Sequence, residues 1–143
     1  MRPLPPDIAA FVAGARIGHL ATVDEKGHPH VVPVCFAYSD GIVYIALDAK
    51  PKRVAVMRLR RVRNLLANPN VQLLVDRYDE DWSRLRYVQC RGTALLVDSG
   101  PEHNAAIALL RARYSQYVSM PLEQAPIIRI EIADHVAWSA SQG

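Results

Sequence analysis

The strongest constraint on this chain lies in its first third, where three strand-like runs follow one another with only turns between them. Residues 17–23 end at Asp24-Glu25-Lys26-Gly27, a polar, glycine-closed connection suited to a hairpin. Residues 30–38 are rich in valine and aromatics and end at Ser39-Asp40-Gly41, and residues 42–47 follow at once. Parallel neighbours need a crossover of about a dozen residues or more. No such length separates these runs, so they form an antiparallel meander.

The rest of the chain alternates helices with further strands. Residues 7–15 read as a short amphipathic helix, opened by Pro5, Pro6 and Asp7 and closed near Gly14. Pro51 blocks a regular helix start, but residues 54–67 carry a helical period. Leu59, Val62 and Leu66 share one face there, with Leu65 at its margin. Arg60, Arg63 and Asn64 point the other way, and Arg61 lies on the border. Asn68-Pro69 ends the helix. Residues 71–78 are a strand, 79–84 a charged loop, and 85–97 a long strand in which Gly92 marks a bend or bulge. A helix from about Pro101 to about Tyr114, capped at Asp98, Ser99 or Gly100, precedes a loop with Met120-Pro121 and a last strand at 127–137.

Several of these strands carry apolar residues on both faces, which an open sheet with one wet side does not accommodate. A closed or nearly closed barrel covers both faces and removes the edges. The expected architecture is therefore mainly β (α+β): an antiparallel six-stranded barrel with flanking helices. With 143 residues, no repeats and no linker, one domain over residues 1–143 is expected.

Half the residues are hydrophobic, yet no run approaches the roughly 20 apolar residues of a membrane helix. The amino terminus lacks a secretory apolar core, so a cytoplasmic protein without a membrane partner is expected. Cys35 and Cys90 sit in apolar runs with no CxxC or metal spacing, which reads as two buried thiols and no metal site. The net charge of +3 is unevenly spread: between Asp48 and Asp76 there is no acidic residue, while Lys50, Lys52, Arg53, Arg58, Arg60, Arg61 and Arg63 cluster there. Such asymmetry points to an anionic partner, whether a cofactor phosphate, nucleic acid or an acidic protein surface. No Ser-His-Asp arrangement or paired-carboxylate signature stands out, which disfavours hydrolysis.

Four segments in order carry a family likeness. They are His19-Leu20-Ala21-Thr22-Val23-Asp24 with Gly27-His28-Pro29-His30-Val31-Val32-Pro33-Val34; Arg61-Val62-Arg63-Asn64-Leu65 with Asn68-Pro69-Asn70-Val71; Tyr87 through Ala94; and Arg129-Ile130-Glu131-Ile132 with Trp138. Together they resemble the pyridoxamine 5′-phosphate oxidase-like split-barrel superfamily, over nearly the whole chain. Within it the chain looks most like the branch of probable deazaflavin (coenzyme F420)-dependent oxidoreductases. Other members use FMN, bind haem or act on pyridoxamine phosphate.

That resemblance implies a six-stranded split barrel of the FMN-binding type and a homodimer with two cofactor sites, each lined by both subunits. It implies F420 as cofactor, with FMN as the alternative, and hydride transfer to a small organic substrate. By resemblance, Arg61, Arg63 and Asn64 match the phosphate-contacting segment, although a lysine often stands where this chain has Arg61. Lys52 and Arg53 lie just upstream as further phosphate candidates. His30, Val31, Val32 and Pro33, preceded by Pro29, match the strand whose backbone runs along the ring, and Trp138 could stack beside it from either subunit. A planar guanidinium suits the phosphate end because its fork makes two charge-assisted hydrogen bonds at once. His28 and His30 are the histidines that could polarise a substrate carbonyl, but no residue is singled out as catalytic. Two alternatives remain: a protein that binds the cofactor without turnover, and a nucleic-acid-binding module built on the basic helix.

Overall fold

The structure, a computed structural model, describes residues 3–47 and 57–141. Seven strands lie among these residues: β1 (Gly18–Val23), β2 (Pro29–Val34), β3 (Ala37–Ser39), β4 (Ile42–Ala46), β5 (Asn70–Arg77), β6 (Arg86–Val97) and β7 (Ile127–Ser139). Three α-helices lie wholly among the described residues: α1 (Pro6–Gly14), α2 (Arg60–Ala67) and α3 (Pro101–Arg113). The strands form one sheet in the order β2-β1-β5-β6-β7-β4-β3, with every pairing antiparallel. The two ends of that order, β2 and β3, are joined through Cys35 and Phe36 alone. The sheet therefore curls until its two end strands approach where that connection joins them, without pairing to each other, which gives the expected antiparallel split barrel with flanking helices.

The count of seven rather than six strands corrects one expectation. The run expected over residues 30–38 is cut into β2 and β3, because at Phe36 the chain leaves its partner β1 and takes up β4. A distant side chain supplies the missing ladder partner. The buried Tyr114 hydroxyl accepts from the Phe36 amide at 3.1 Å and lies within donating distance of the Phe36 and Arg16 carbonyls, at 3.0 and 2.9 Å. The turn into β4 is legible locally: Asp40 and Gly41 both have positive φ, 48° and 86°, as a two-residue type I′ hairpin requires.

The barrel interior is filled by Leu20, Phe36, Val43, Ile45, Leu73 and Ile130 and their neighbours, all essentially inaccessible. A second core forms outside β4, where Ile107 and Leu110 of α3 cover Ile42, Tyr44 and Ile127. This is why β4 is buried at every position. Glu102 in the first turn of α3 ties that helix down, accepting from Tyr44 Oη at 2.6 Å and Arg129 Nε at 2.7 Å. Burial and the neighbouring carboxylate push the Tyr44 phenol up to about 12.

Gly92 sits at an irregularity, as expected. The register of β6 on β7 slips between Arg91↔Asp134 and Gly92↔Ile132, leaving Ala133 as the extra residue. The strands pass so closely there that a Cβ on Gly92 would lie 2.2 Å from the Glu131 carbonyl oxygen.

The basic helix departs from its expected face. Within the described residues it begins at Arg60, with Leu59 as an extended cap. Val62, Leu65 and Asn64 are buried, whereas Leu66 is 55% exposed. Leu59 lies outside the helix and so does not set its phase. The buried amide of Asn64 does so in part, by donating to Thr22 Oγ1 of β1 at 3.0 Å. Residues 54–56 lie outside the described residues.

Candidate functional site

The hairpin of β1 and β2 and the helix α2 meet at one end of the barrel. Thr22 and His30 are cross-strand partners on the inner face, and Thr22 receives the Asn64 amide. Arg61 precedes Asn64 by three residues, so the two share one side of the helix. Two nitrogens in this neighbourhood, Arg61 Nε and His30 Nδ1, are buried and have no hydrogen-bond partner among the described residues. Leaving such a group unpaired costs about 1–3 kcal/mol. An oxyanion seated between α2 and the hairpin would satisfy the arginine, and a hydrogen-bonding ligand the histidine.

The other expected residues divide between the two faces of β2. His30 and Val32 point inward with Thr22 and Leu20, while Val31 and Pro33 point outward. Asn64 is inside the protein, holding α2 to β1, and Arg63 is exposed on the helix. Lys52 and Arg53 fall outside the described residues.

The backbone of β2 offers more than its side chains. The amide of Asp24 donates to the His28 carbonyl at 3.0 Å, which assigns the even-numbered residues to the bonded pairs of this hairpin. Pro29 and Pro33, which have no N–H, belong to the other set. Val31 lies between them, so its N–H and C=O point away from β1. β2 ends the sheet order, so these groups have no strand partner among the described residues. The sequence carries the signal: proline at 29 and 33 removes two backbone donors, which suits an edge segment rather than the centre of a ladder.

Trp138 lies elsewhere. It stacks on Tyr87 with ring centroids 5.6 Å apart and planes at 23°. From β2 to β7 there are four strand-to-strand steps in the sheet order, about 19 Å along the sheet at roughly 4.8 Å per step. Between β2 and β7 runs an outer face, uncovered among the described residues, on which Pro33, His19, Leu74, Gln89 and Val136 stand in register. Val31 is 62% exposed on this face. His19 Nδ1 approaches Asp76 Oδ1 at 3.9 Å there.

The two cysteines are free, with Cys90 buried and Cys35 half-buried. Burial pushes the Cys90 thiol up to about 11, so it stays protonated. Among the described residues no helix is long and apolar enough to cross a membrane.

A curled antiparallel sheet, split where β2 passes into β3 and flanked by a basic helix, is the frame of a flavin-binding split barrel. Residues 4–138 match the pyridoxamine 5′-phosphate oxidase family, and the chain belongs to that family. No curated protein matches the sequence. Among solved structures, the chain is similar to the conserved hypothetical protein Rv2991 of Mycobacterium tuberculosis, at 23% identity and a TM-score of 0.78, covering 96% of this chain and 86% of that one. It is also similar to an F420 reductase, at 23% identity and a TM-score of 0.70, covering 93% and 98%. A third likeness is to HutZ, the haem storage protein of Vibrio cholerae, at 21% identity and a TM-score of 0.72, covering 97% and 95%. At these identities the shared property is the fold.

Proposed function

We propose that this protein is a homodimeric cytoplasmic oxidoreductase that binds the deazaflavin coenzyme F420 and reduces a small organic substrate, with FMN as the alternative cofactor. The observation that carries the reading is the pair of buried nitrogens, Arg61 Nε and His30 Nδ1, which have no partner among the described residues and lie to either side of the Thr22–Asn64 bond. A phosphate oxygen is a fitting partner for the arginine, and both candidate cofactors carry one. The exposed Arg63, with Lys52 and Arg53, adds charge suited to the longer acidic tail of a deazaflavin. The F420 reductase among its structural neighbours points the same way.

Under this reading the residues bind and orient. Arg61 holds the phosphate, and the Thr22–Asn64 bond keeps α2 at the distance that allows it. The outward N–H and C=O of Val31 meet the polar edge of the ring, flanked by Pro29 and Pro33. Trp138 stacks beside the ring from the same or a second copy, and the exposed outer face is the surface on which the copies pack. When bound, the deazaflavin supplies two-electron hydride chemistry.

Titration with F420 and with FMN, followed by tryptophan emission, tests the reading. Tight F420 binding is expected, and Arg61→Gln should weaken it about tenfold or more through loss of charge-assisted hydrogen bonds. Tight FMN binding with no F420 binding would move the assignment to FMN; binding of neither would refute it. Steady-state oxidation of the reduced cofactor across a substrate panel separates an enzyme from a storage protein, because binding without turnover would favour storage.

A further inference from the structure

The C-terminal ends of α1 and α3 meet, and an arginine from each side ties them together. Arg113, the last residue of α3, donates through Nη2 to the carbonyl of Ala15, the residue that caps α1. Arg16 follows Ala15 in the chain and donates through Nη2 to the Arg113 carbonyl at 2.6 Å. Both guanidinium groups lie on the Tyr114 ring, with Cζ of Arg16 4.7 Å and Cζ of Arg113 5.3 Å from its centroid. The two cations are therefore within about 10 Å of each other, close enough to repel at moderate salt. Arg113 Cζ also lies 5.6 Å from the ring centroid of Phe36. The cluster thus sits at the joint where β2 passes into β3, since the Tyr114 hydroxyl takes the Phe36 amide there.

Protein groups balance only part of this charge. Neither arginine makes an ion pair among the described residues. A helix C-terminus carries roughly half a negative charge, so the two helix ends offset about one of the two positive charges. About one remains. The count of donors leads to the same place. A guanidinium offers five N–H groups in a planar fork, and Arg113 Nε is buried with no hydrogen-bond partner among the described residues. A buried donor on a charged group is costly to leave unmet, and a ligand atom beside it removes that cost. Arg113 is half-buried against Phe36 and Tyr114 while Arg16 is exposed, so the pair has a closed side and an open one.

We propose that Arg16 and Arg113 form a binding site for a small oxyanion, a carboxylate or a phosphate group. Its donors are Arg113 Nε and the guanidinium N–H groups not engaged by the two helix-end carbonyls, and a guanidinium fork matches the geometry of such an ion. One anionic charge completes the balance at the helix ends. The site is separate from the place given to the cofactor phosphate. Gly18↔Val34, the strand pair nearest Arg16, and Thr22↔His30, the pair beside Asn64, are four residues apart along β1, about 14 Å. The anion site therefore stands whether or not the cofactor reading does. An ion held there keeps the ends of α1 and α3 against Tyr114 and, through the Phe36 amide, steadies the end of β2.

The test uses cofactor-free full-length protein, with inorganic phosphate and acetate as probes at constant ionic strength. In a proton–nitrogen correlation spectrum the Arg113 Nε–H signal is assigned by its absence from Arg113→Lys. That signal should move in a saturable way as phosphate is added, and sodium chloride at the same ionic strength should leave it in place. A shift with both probes supports a general oxyanion site, and a shift with phosphate alone narrows the ligand to phosphates. Arg16→Gln, at an exposed residue, should weaken the response about tenfold or more. Arg61→Gln should leave the response in place, because Arg61 lies at the other end of the hairpin. No saturable shift, a response that survives Arg16→Gln, or one that is lost in Arg61→Gln would overturn the proposal. Parallel F420 and FMN titrations keep the two ideas apart: cofactor binding with a silent Arg113 signal sinks only the anion site, and the converse sinks only the redox reading.

Discussion

Gly92→Ala is the substitution whose cost follows most directly from the structure. The added Cβ would lie 2.2 Å from the Glu131 carbonyl oxygen, 2.9 Å from its carbonyl carbon and 3.1 Å from Ile130 Cγ2. Two of these three atoms are backbone at the bulge, so no side-chain rotation clears the space. Restoring ordinary contact requires β6 and β7 to separate by about 1 Å, in the range where overpacking costs about 3 kcal/mol. For a chain of this size that corresponds to a fall in Tm of about 10 °C. Urea denaturation followed by circular dichroism should show a lower midpoint at unchanged m. The near-ultraviolet signal of the Tyr87–Trp138 stack should change as well, because the bulge aims the second half of β7. A loss below about 1 kcal/mol would refute the reasoning, since it would mean the strands yield freely at the bulge.

Other consequences can be measured on the same footing. A double-mutant cycle of Asn64→Ala and Thr22→Val should return a coupling of about 1 kcal/mol, the worth of one buried hydrogen bond; independent effects would remove the tie between α2 and β1. Tyr114→Phe should cost about 1–3 kcal/mol in denaturation, because it leaves the buried Phe36 amide without the hydroxyl that accepts from it at 3.1 Å. The Arg111 guanidinium grips Glu123 at 2.6 and 3.0 Å and holds its carboxyl at about 2, below the ordinary 4.5. A carboxylate depressed in the folded state adds stability above its unfolded pKa and loses it as pH falls through the folded one. Stability should therefore decline between about pH 4.5 and pH 2, and Arg111→Gln should flatten that part of the pH profile.

What was readable in the sequence was local. Turn residues at 24–27 and 39–41 dictate the meander because backbone conformation at such positions is decided by the residues themselves. The proline at 33 and the glycine at 92 announced an edge and a bulge for the same reason. The order of motifs carried the family, and with it Arg61 and the β2 rim as places to look.

What required the tertiary structure was non-local. Strand β2 parts from β3 because a hydroxyl 78 residues away takes over the Phe36 amide. Asn64 faces inward against helical periodicity because Thr22, 42 residues distant, accepts its amide. Arg16 and Arg113, 97 residues apart, become neighbours only where the ends of α1 and α3 meet over Tyr114. Turn chemistry and alternation are properties of a few adjacent residues, so the sequence by itself determined an antiparallel barrel. Which polar groups end up buried, paired or converging depends on contacts between distant segments, and only the folded chain decides those.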